Sequence, residues 1–347
     1  MYILKDYPLK EFNTFKINVS AKNYVEICNL EDLYSLKPIL MKEKYIVLGG
    51  GSNILFTSDY PGYVLKNNLL GSEKLSETDD EVEIQISSGE NWHEFVMYCA
   101  NNNYYGVENL ALIPGTIGAS VIQNINAYGA EVSSVVKSVT YLDLHDFKLV
   151  NLSNTECLFN YRSSIFKTHL AKNAFVVNVT FRLKKKSNFN LKFLNSYGGI
   201  LQELEDITKG KEPTIIDVTN AVIRLRTKKL PDIEKFPNSG SFFIHPIVSR
   251  EKYLELAKTN STNPDFTHFE TPDGNIKLSA GWAIEYAGLK GYRYKTVGVY
   301  EKHALVLVNY DTSSRESGRY MKELVDIITN KVQEKWGILL KSEVVIV

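Results

Sequence analysis

The chain has 347 residues, with 40 Lys+Arg balanced by 40 Asp+Glu, so it is neutral overall and long enough for two or three domains. At 44% hydrophobic and 23% charged residues it can bury several cores, which excludes a disordered or low-complexity chain. Zero net charge removes the electrostatic footprint of a protein whose main task is to hold nucleic acid or an anionic membrane.

The start, MYILKDYPLK, is apolar only briefly before Lys5 and Asp6, and no stretch approaches the roughly 18 apolar residues of a membrane span. The expectation is a soluble, cytoplasmic protein without nucleic-acid or membrane partners. Tyr45-Ile46-Val47-Leu48 is a short apolar run ended by three glycines, and Val82-Glu83-Ile84-Gln85-Ile86 alternates with period two; both predict strands. Trp92, Phe95, Val96 and Cys99 recur at helical spacing ahead of Asn101-Asn102-Asn103, which predicts a helix packed on a sheet. Phe175, Val177, Val179, Phe181 and Leu183 alternate as one strand, closed by Lys184-Lys185-Lys186. A helix starts at Pro213-Thr214, with Thr214 and Asp217 in capping-box spacing and Ile215, Val218, Val222 and Leu225 on one face. The expected domain boundary lies just before it, giving 1–212 (subdomains about 1–67 and 68–212) and 213–347. A last helix carries Met321, Leu324, Val325, Ile328 and Val332, stops at Gly337 and precedes the strand Val344-Val345-Ile346-Val347. Strands and helices do not alternate regularly, so the class is α+β.

The three cysteines, Cys28, Cys99 and Cys157, form no CxxC, and the six histidines show no i, i+4 pairing, so neither a disulfide framework nor a metal site is expected. Cys99 reads as core. Two glycine-bearing segments stand out. Gly49-Gly50-Gly51-Ser52-Asn53 follows a strand, and its backbone amides and two side chains suit a phosphate, although a glycine turn can equally serve the chain's own geometry. The second runs from Gly106 through Ile113-Pro114-Gly115-Thr116-Ile117-Gly118-Ala119 to Gln123-Asn124-Ile125-Asn126-Ala127-Tyr128-Gly129. Its small residues admit either a flat ligand or tight packing.

Together, LGGGSN and GxExLxxIPGTxGAxxxQNxxAYG resemble the UDP-N-acetylenolpyruvoylglucosamine reductases (MurB). Further blocks fit in order: Asn13-Thr14-Phe15, Asn160-Tyr161-Arg162-Ser163, Arg226-Thr227-Lys228-Lys229-Leu230-Pro231, Gly240-Ser241-Phe242, Lys277-Leu278-Ser279, Gly288-Leu289-Lys290 and Ser342-Glu343-Val344. The resemblance implies a two-subdomain FAD-binding fold of the vanillyl-alcohol-oxidase/PCMH type plus a C-terminal α+β substrate domain, whose last strand returns towards the FAD site. It implies FAD as cofactor, NADPH as co-substrate, UDP-N-acetylglucosamine enolpyruvate as substrate, and a monomer. In the family, hydride from the reduced flavin adds at C3 of the enolpyruvyl ether. The resulting C2 charge needs a held carboxylate and a proton donor.

Residue by residue, the match implies Arg162 and Glu343 at the carboxylate and Ser241 as proton donor. Tyr161, Tyr197, Lys229, His245, Lys277 and Lys290 fall at substrate or NADPH positions, Tyr197 as the loop tyrosine of the longer subclass. The cofactor positions are Gly49, Gly50, Gly51, Ser52, Asn53, Pro114, Gly115, Thr116, Gly118, Ala119, Gln123, Asn124, Tyr128 and Gly129. The sequence departs from the family pattern at His245 (usually Asn), Phe269 (roughly a Tyr position), Tyr300 (a common His) and Val345 (often Arg). Asn126 replaces a glycine and is expected to tolerate positive φ. His245, Phe269 and Val345 motivate the competing reading of a non-catalytic nucleotide-sugar- or flavin-binding paralogue. A flavin oxidase of the same FAD fold is the rival within enzymes.

Overall fold

The computed structural model describes residues 1–186 and 199–347, and its contacts divide the chain into two units. The first comprises Met1–Tyr7, Ala21–Gly51 and Pro61–Lys228; the second comprises Pro8–Ser20, Ser52–Tyr60 and Lys229–Val347.

In the first unit the apolar run at 45–48 forms the strand Tyr45–Leu48, paired in parallel with Tyr60–Asn67 within a four-stranded sheet. Helix Leu30–Leu40 is started by a reciprocal capping box between Asn29 and Asp32. Its Leu33, Leu36 and Leu40 share a core with Val25, Ile27 and Leu65. A second sheet of five antiparallel strands runs in the order Lys148–Ser153, Val136–Asp143, Ala174–Lys184, Glu81–Ser87, Ser72–Glu77.

The central strand Ala174–Lys184 does not present one alternating face. Thr140 opposes Asn178 and Tyr141 opposes Val176, so Val177 is an extra, bulged residue. A bulge shifts the alternation by one position and turns the following side chains to the other face. Phe175 and Val177 therefore pack with the core of helix Leu30–Leu40, whereas Val179, Phe181 and Leu183 join Trp92, Phe95 and Val96. The predicted helix at 92–101 forms as Trp92–Asn101, and Phe95 packs on Phe181 with ring centroids 4.7 Å apart. Cys99 is fully buried in the same core.

The helix after Pro213 forms as Ile215–Lys229, with Thr214 and Asp217 exchanging the expected capping bonds. It does not open the second unit, however. Val218, Ala221, Val222 and Leu225 are buried in the core that holds Trp92 and Phe181, so the contacts assign the helix through Lys228 to the first unit. By contacts the division falls between Lys228 and Lys229, because the helix's apolar face packs in the first unit's core.

The second unit holds two small three-stranded sheets. One is Ile247–Val248, Ile276–Leu278 and His268–Glu270; the other is Arg293–Tyr294, Val297–Val299 and Leu307–Asn309. The final helix Ser317–Trp336 ends at Gly337 in the left-handed conformation, as the stop signal predicts. Its start packs so closely that a Cβ on Gly318 would lie 2.1 Å from the Phe56 carbonyl oxygen. Asn309 Nδ2 donates to the Phe15 carbonyl at 2.9 Å, and these contacts bring two early segments into a unit otherwise made of late residues.

Candidate active site

The glycine turn of the first unit is pressed against the second glycine segment. A Cβ on Gly50 would meet the Gly115 Cα at 2.9 Å, and one on Gly49 would meet Thr116 Oγ1 at 2.9 Å. Gly115 itself has φ +122, and Thr116 caps the short helix Ile117–Ile122 by accepting from the Ala119 N–H. The segment is held from below: Trp92 N–H donates to the Gly115 carbonyl, Ile117 N–H to Glu90 and Gly118 N–H to Ser88. A Cβ on Gly118 would strike Ser88 Cβ at 2.8 Å, so this glycine serves packing within the wall. The two turns border a cavity of about 420 Å³. Leu112, Ile113 and Pro114 give it an apolar side, and Lys66, Asn91 and His93 a polar one.

His93 Nδ1 accepts the Leu112 N–H at 3.1 Å, so the neutral ring carries its proton on Nε2 as a donor. Burial first, and the Arg226 charge second, lower its pKa. Arg226 projects from helix Ile215–Lys229 and is itself pushed below the ordinary guanidinium value by burial; Arg162 adds to this and Tyr128 opposes it. Its Nε is buried without a hydrogen-bond partner among the described residues. A buried donor left unpaired is costly, and a ring bearing carbonyl acceptors would relieve it. The closely apposed glycine turns, the apolar and donor-bearing sides and this orphaned donor all fit a flavin nucleotide.

Arg162 lies at the tip of a tight turn in which Asn160 and Ser163 exchange both backbone hydrogen bonds at 3.0 Å. Its φ is +52, an uncommon conformation for a long side chain and one that the paired turn enforces. Tyr161 occupies the other tip position, its N–H donating to Asn160 Oδ1 at 2.6 Å. Asn124 reaches this turn from the glycine-rich segment. Its Nδ2 donates to Glu131 and to the Asn160 carbonyl, and its Oδ1 accepts from Ser133. Asn124 thus braces the loop behind Arg162, and the neighbouring Gln123 is half-buried. Positive φ falls on Asn124, Tyr128 and Gly129, whereas Asn126 sits in the short strand Asn126–Ala127 and needs no such tolerance. The glycine-to-Asn departure is therefore accommodated by extended backbone.

In the second unit, strand pairing lays the segment that carries Ser241 alongside the one that carries Glu343. Ser241 bridges Val306, Phe243 bridges Ser342, and the Glu343 N–H donates to the Phe242 carbonyl at 2.8 Å. Glu343 is buried. Directly after it, Val345–Ile346 pairs in parallel with Ile54–Leu55, and Asn53 Nδ2 donates to the Glu343 carbonyl at 3.2 Å. Asn53 and Ser52 belong to this unit by contacts, which separates them from the glycines they follow.

The turn that feeds Val306 carries His303, whose carbonyl accepts the Val306 N–H. Burial, then the Lys229 and Lys290 charges, lower the His303 pKa, with Glu285 opposing. Two of the expected phosphate lysines thus converge on one imidazole, and Lys290 is paired with Glu285 at 2.7 Å. Lys277 and Phe269 share the first small sheet, where Lys277 stands opposite Phe269 with its ammonium 5.4 Å from the ring centroid. His245 Nδ1 accepts the Ala280 N–H at 3.1 Å, leaving the proton on Nε2 in the neutral ring, a donor like the amide it replaces. Tyr197 lies outside the described residues.

Lys66, His93 and His303 stand outside the quoted sequence motifs, and Arg226, which opens one of them, is given no role there. The first two are set in a strand end and a helix start without a spacing signal. The signal for Arg226 is its place in that block, three residues before Lys229 on the same helix.

This arrangement defines the first unit as that of an FAD-binding protein, and residues 41–153 match the family profile for an FAD binding domain. Residues 231–347 match the profile for the UDP-N-acetylenolpyruvoylglucosamine reductase C-terminal domain. The chain is 38% identical over 344 residues to the UDP-N-acetylenolpyruvoylglucosamine reductase of Flavobacterium johnsoniae, covering 99% of both chains. It is 40% identical over 341 residues to that of Chromobacterium violaceum, covering 97% of both. The crystal structure of the Thermus caldophilus reductase shares the fold, with a TM-score of 0.66 at 21% identity over 99% of this chain and 98% of that one. The chain belongs to the UDP-N-acetylenolpyruvoylglucosamine reductase family, a family of FAD-dependent oxidoreductases.

Proposed function

We propose that the protein reduces UDP-N-acetylglucosamine enolpyruvate to UDP-N-acetylmuramate at the expense of NADPH, as a step of peptidoglycan precursor synthesis. The observation that supports this reading is the backbone pairing of the segment 241–243 with Ser342 and the buried Glu343, in a chain matched along its length by named reductases. When bound, FAD supplies hydride-transfer chemistry. Addition at C3 leaves enolate charge at C2, spread into the carboxylate, so that carboxylate must be held and C2 protonated. Arg162 offers the carboxylate the planar, two-donor fork of a guanidinium, and Glu343 acts with it in polarising the enolate.

Ser241 Oγ–H gives its proton to C2. A hydroxyl is a weak acid, so nearby cations must lower the cost of the alkoxide left behind. Lys229 and Lys290 hold diphosphate as point charges, while Lys277, His245, Tyr161 and Tyr197 complete the substrate contacts. The cofactor is held at the Gly49–Gly51 and Pro114–Ala119 turns. The protein acts as a cytoplasmic monomer.

The test is an absorbance spectrum of the purified protein, then anaerobic stopped-flow addition of NADPH followed by the enolpyruvyl substrate. Flavin bands that bleach with NADPH and return only with the substrate are expected. A flavin reoxidised only by oxygen, or none taken up from added FAD, would overturn the proposal.

A further inference from the structure

The polar side of the cavity contains a charge that no motif announces. Lys66 is the cross-strand partner of Leu48, the residue immediately before the glycine turn, and it lines the same cavity as Gly50 and Gly115. Its ammonium donates to the Asn67 carbonyl at 3.2 Å, and no ion pair within 4.0 Å joins it to a carboxylate among the described residues. Glu26 is the acid that acts on it, and that carboxylate accepts the Tyr24 hydroxyl at 3.0 Å. No aspartate or glutamate lines the cavity. A partly buried ammonium beside a turn rich in backbone N–H groups calls for an anion. The apolar side formed by Leu112, Ile113 and Pro114 is suited to the flat rings instead.

We propose that Lys66 is a cofactor-positioning cation that meets the diphosphate of bound FAD at the mouth of the glycine turn. The inference rests on the reading of this cavity as the FAD site. It adds a side-chain charge to a cradle otherwise made of backbone, and it divides the cavity into a phosphate end at Lys66 and Gly50 and a ring end at Leu112–Pro114. The competing role is structural, with Lys66 serving only the field of Glu26 across the sheet.

The experiment measures dissociation constants of FAD and of riboflavin, which lacks phosphate, by flavin fluorescence on deflavinated wild type, Lys66→Met and Lys66→Arg. Lys66→Met is expected to weaken FAD about tenfold, leave riboflavin unchanged and flatten the salt dependence of FAD binding. Lys66→Arg should stay within about threefold of wild type. If Lys66→Met fails to fold, Lys66→Gln is read in the same way. Unchanged FAD affinity, or an equal loss for FAD and riboflavin, overturns the inference alone. A wild type that binds riboflavin but gains nothing from the phosphates of FAD also overturns it, and one that takes up no flavin overturns the cavity reading as well.

Discussion

The cofactor cavity of the first unit and the Ser241–Glu343 region of the second are built by opposite means. The cavity owes its shape to missing side chains, since Gly49 and Gly50 lie where any Cβ would collide with Gly115 or Thr116. The second region is set by backbone pairing between segments a hundred residues apart in sequence, 241–243 with 342–343, and its proposed chemistry lies in side chains that are present. A backbone-built site fails when something is added to it, whereas a side-chain-built site fails when one group is taken away.

Substitutions can break or sharpen that contrast. Ser241→Ala is expected to slow reoxidation by the enolpyruvyl substrate by about 10²–10⁴-fold while reduction by NADPH stays near normal, as read by anaerobic stopped flow. Equal slowing of both halves would remove Ser241 from the proton step. Gly50→Ala should do the reverse, lowering FAD affinity by about a hundredfold through the clash at Gly115, so that the protein purifies pale. Retained flavin would show that the turn yields. Leu225→Ala should cost about 2–4 kcal/mol and raise hydrogen exchange throughout the first unit, leaving the second unit's amides protected. The opposite pattern would return helix Ile215–Lys229 to the second unit.

The smallest effect concerns pH. His93 and His303 have folded pKa values lowered from 6.5, mainly by burial. The folded state prefers their neutral forms, so their contribution is complete above 6.5 and is lost as pH falls through the lowered values. The thermal midpoint should fall on acidification from about pH 7 to about pH 5, and His303→Gln should flatten that fall by about 1–2 °C. An unaltered slope would separate His303 from the loss.

The same contrast explains what was legible in the sequence. Glycines advertise themselves, so the turns at 49–51 and 114–118 could be found from residue types alone, as could the helix faces of Trp92–Asn101 and Ser317–Trp336. Ser241 and Glu343 carry no local signal and emerged only through the blocks that contain them. Lys66 and His303 escaped because their relevance arises from neighbours distant in sequence. Two features come from packing rather than from local pattern. The alternation from Phe175 to Leu183 is interrupted by the bulge at Val177, and the capping box at Thr214 marks where a helix starts but not which core it joins.

The second unit is discontinuous: Pro8–Ser20 and Ser52–Tyr60 meet residues from 229 onward. On a translating ribosome these early segments emerge long before their partners exist. The Phe56 carbonyl that abuts Gly318 and the Ile54–Leu55 edge that takes up Val345–Ile346 must stay uncommitted until residues 318 and 345–346 have been made. The first unit can close while the chain is still growing, so vectorial synthesis favours a glycine-walled cavity assembled ahead of the pairing between the segments of Ser241 and Glu343.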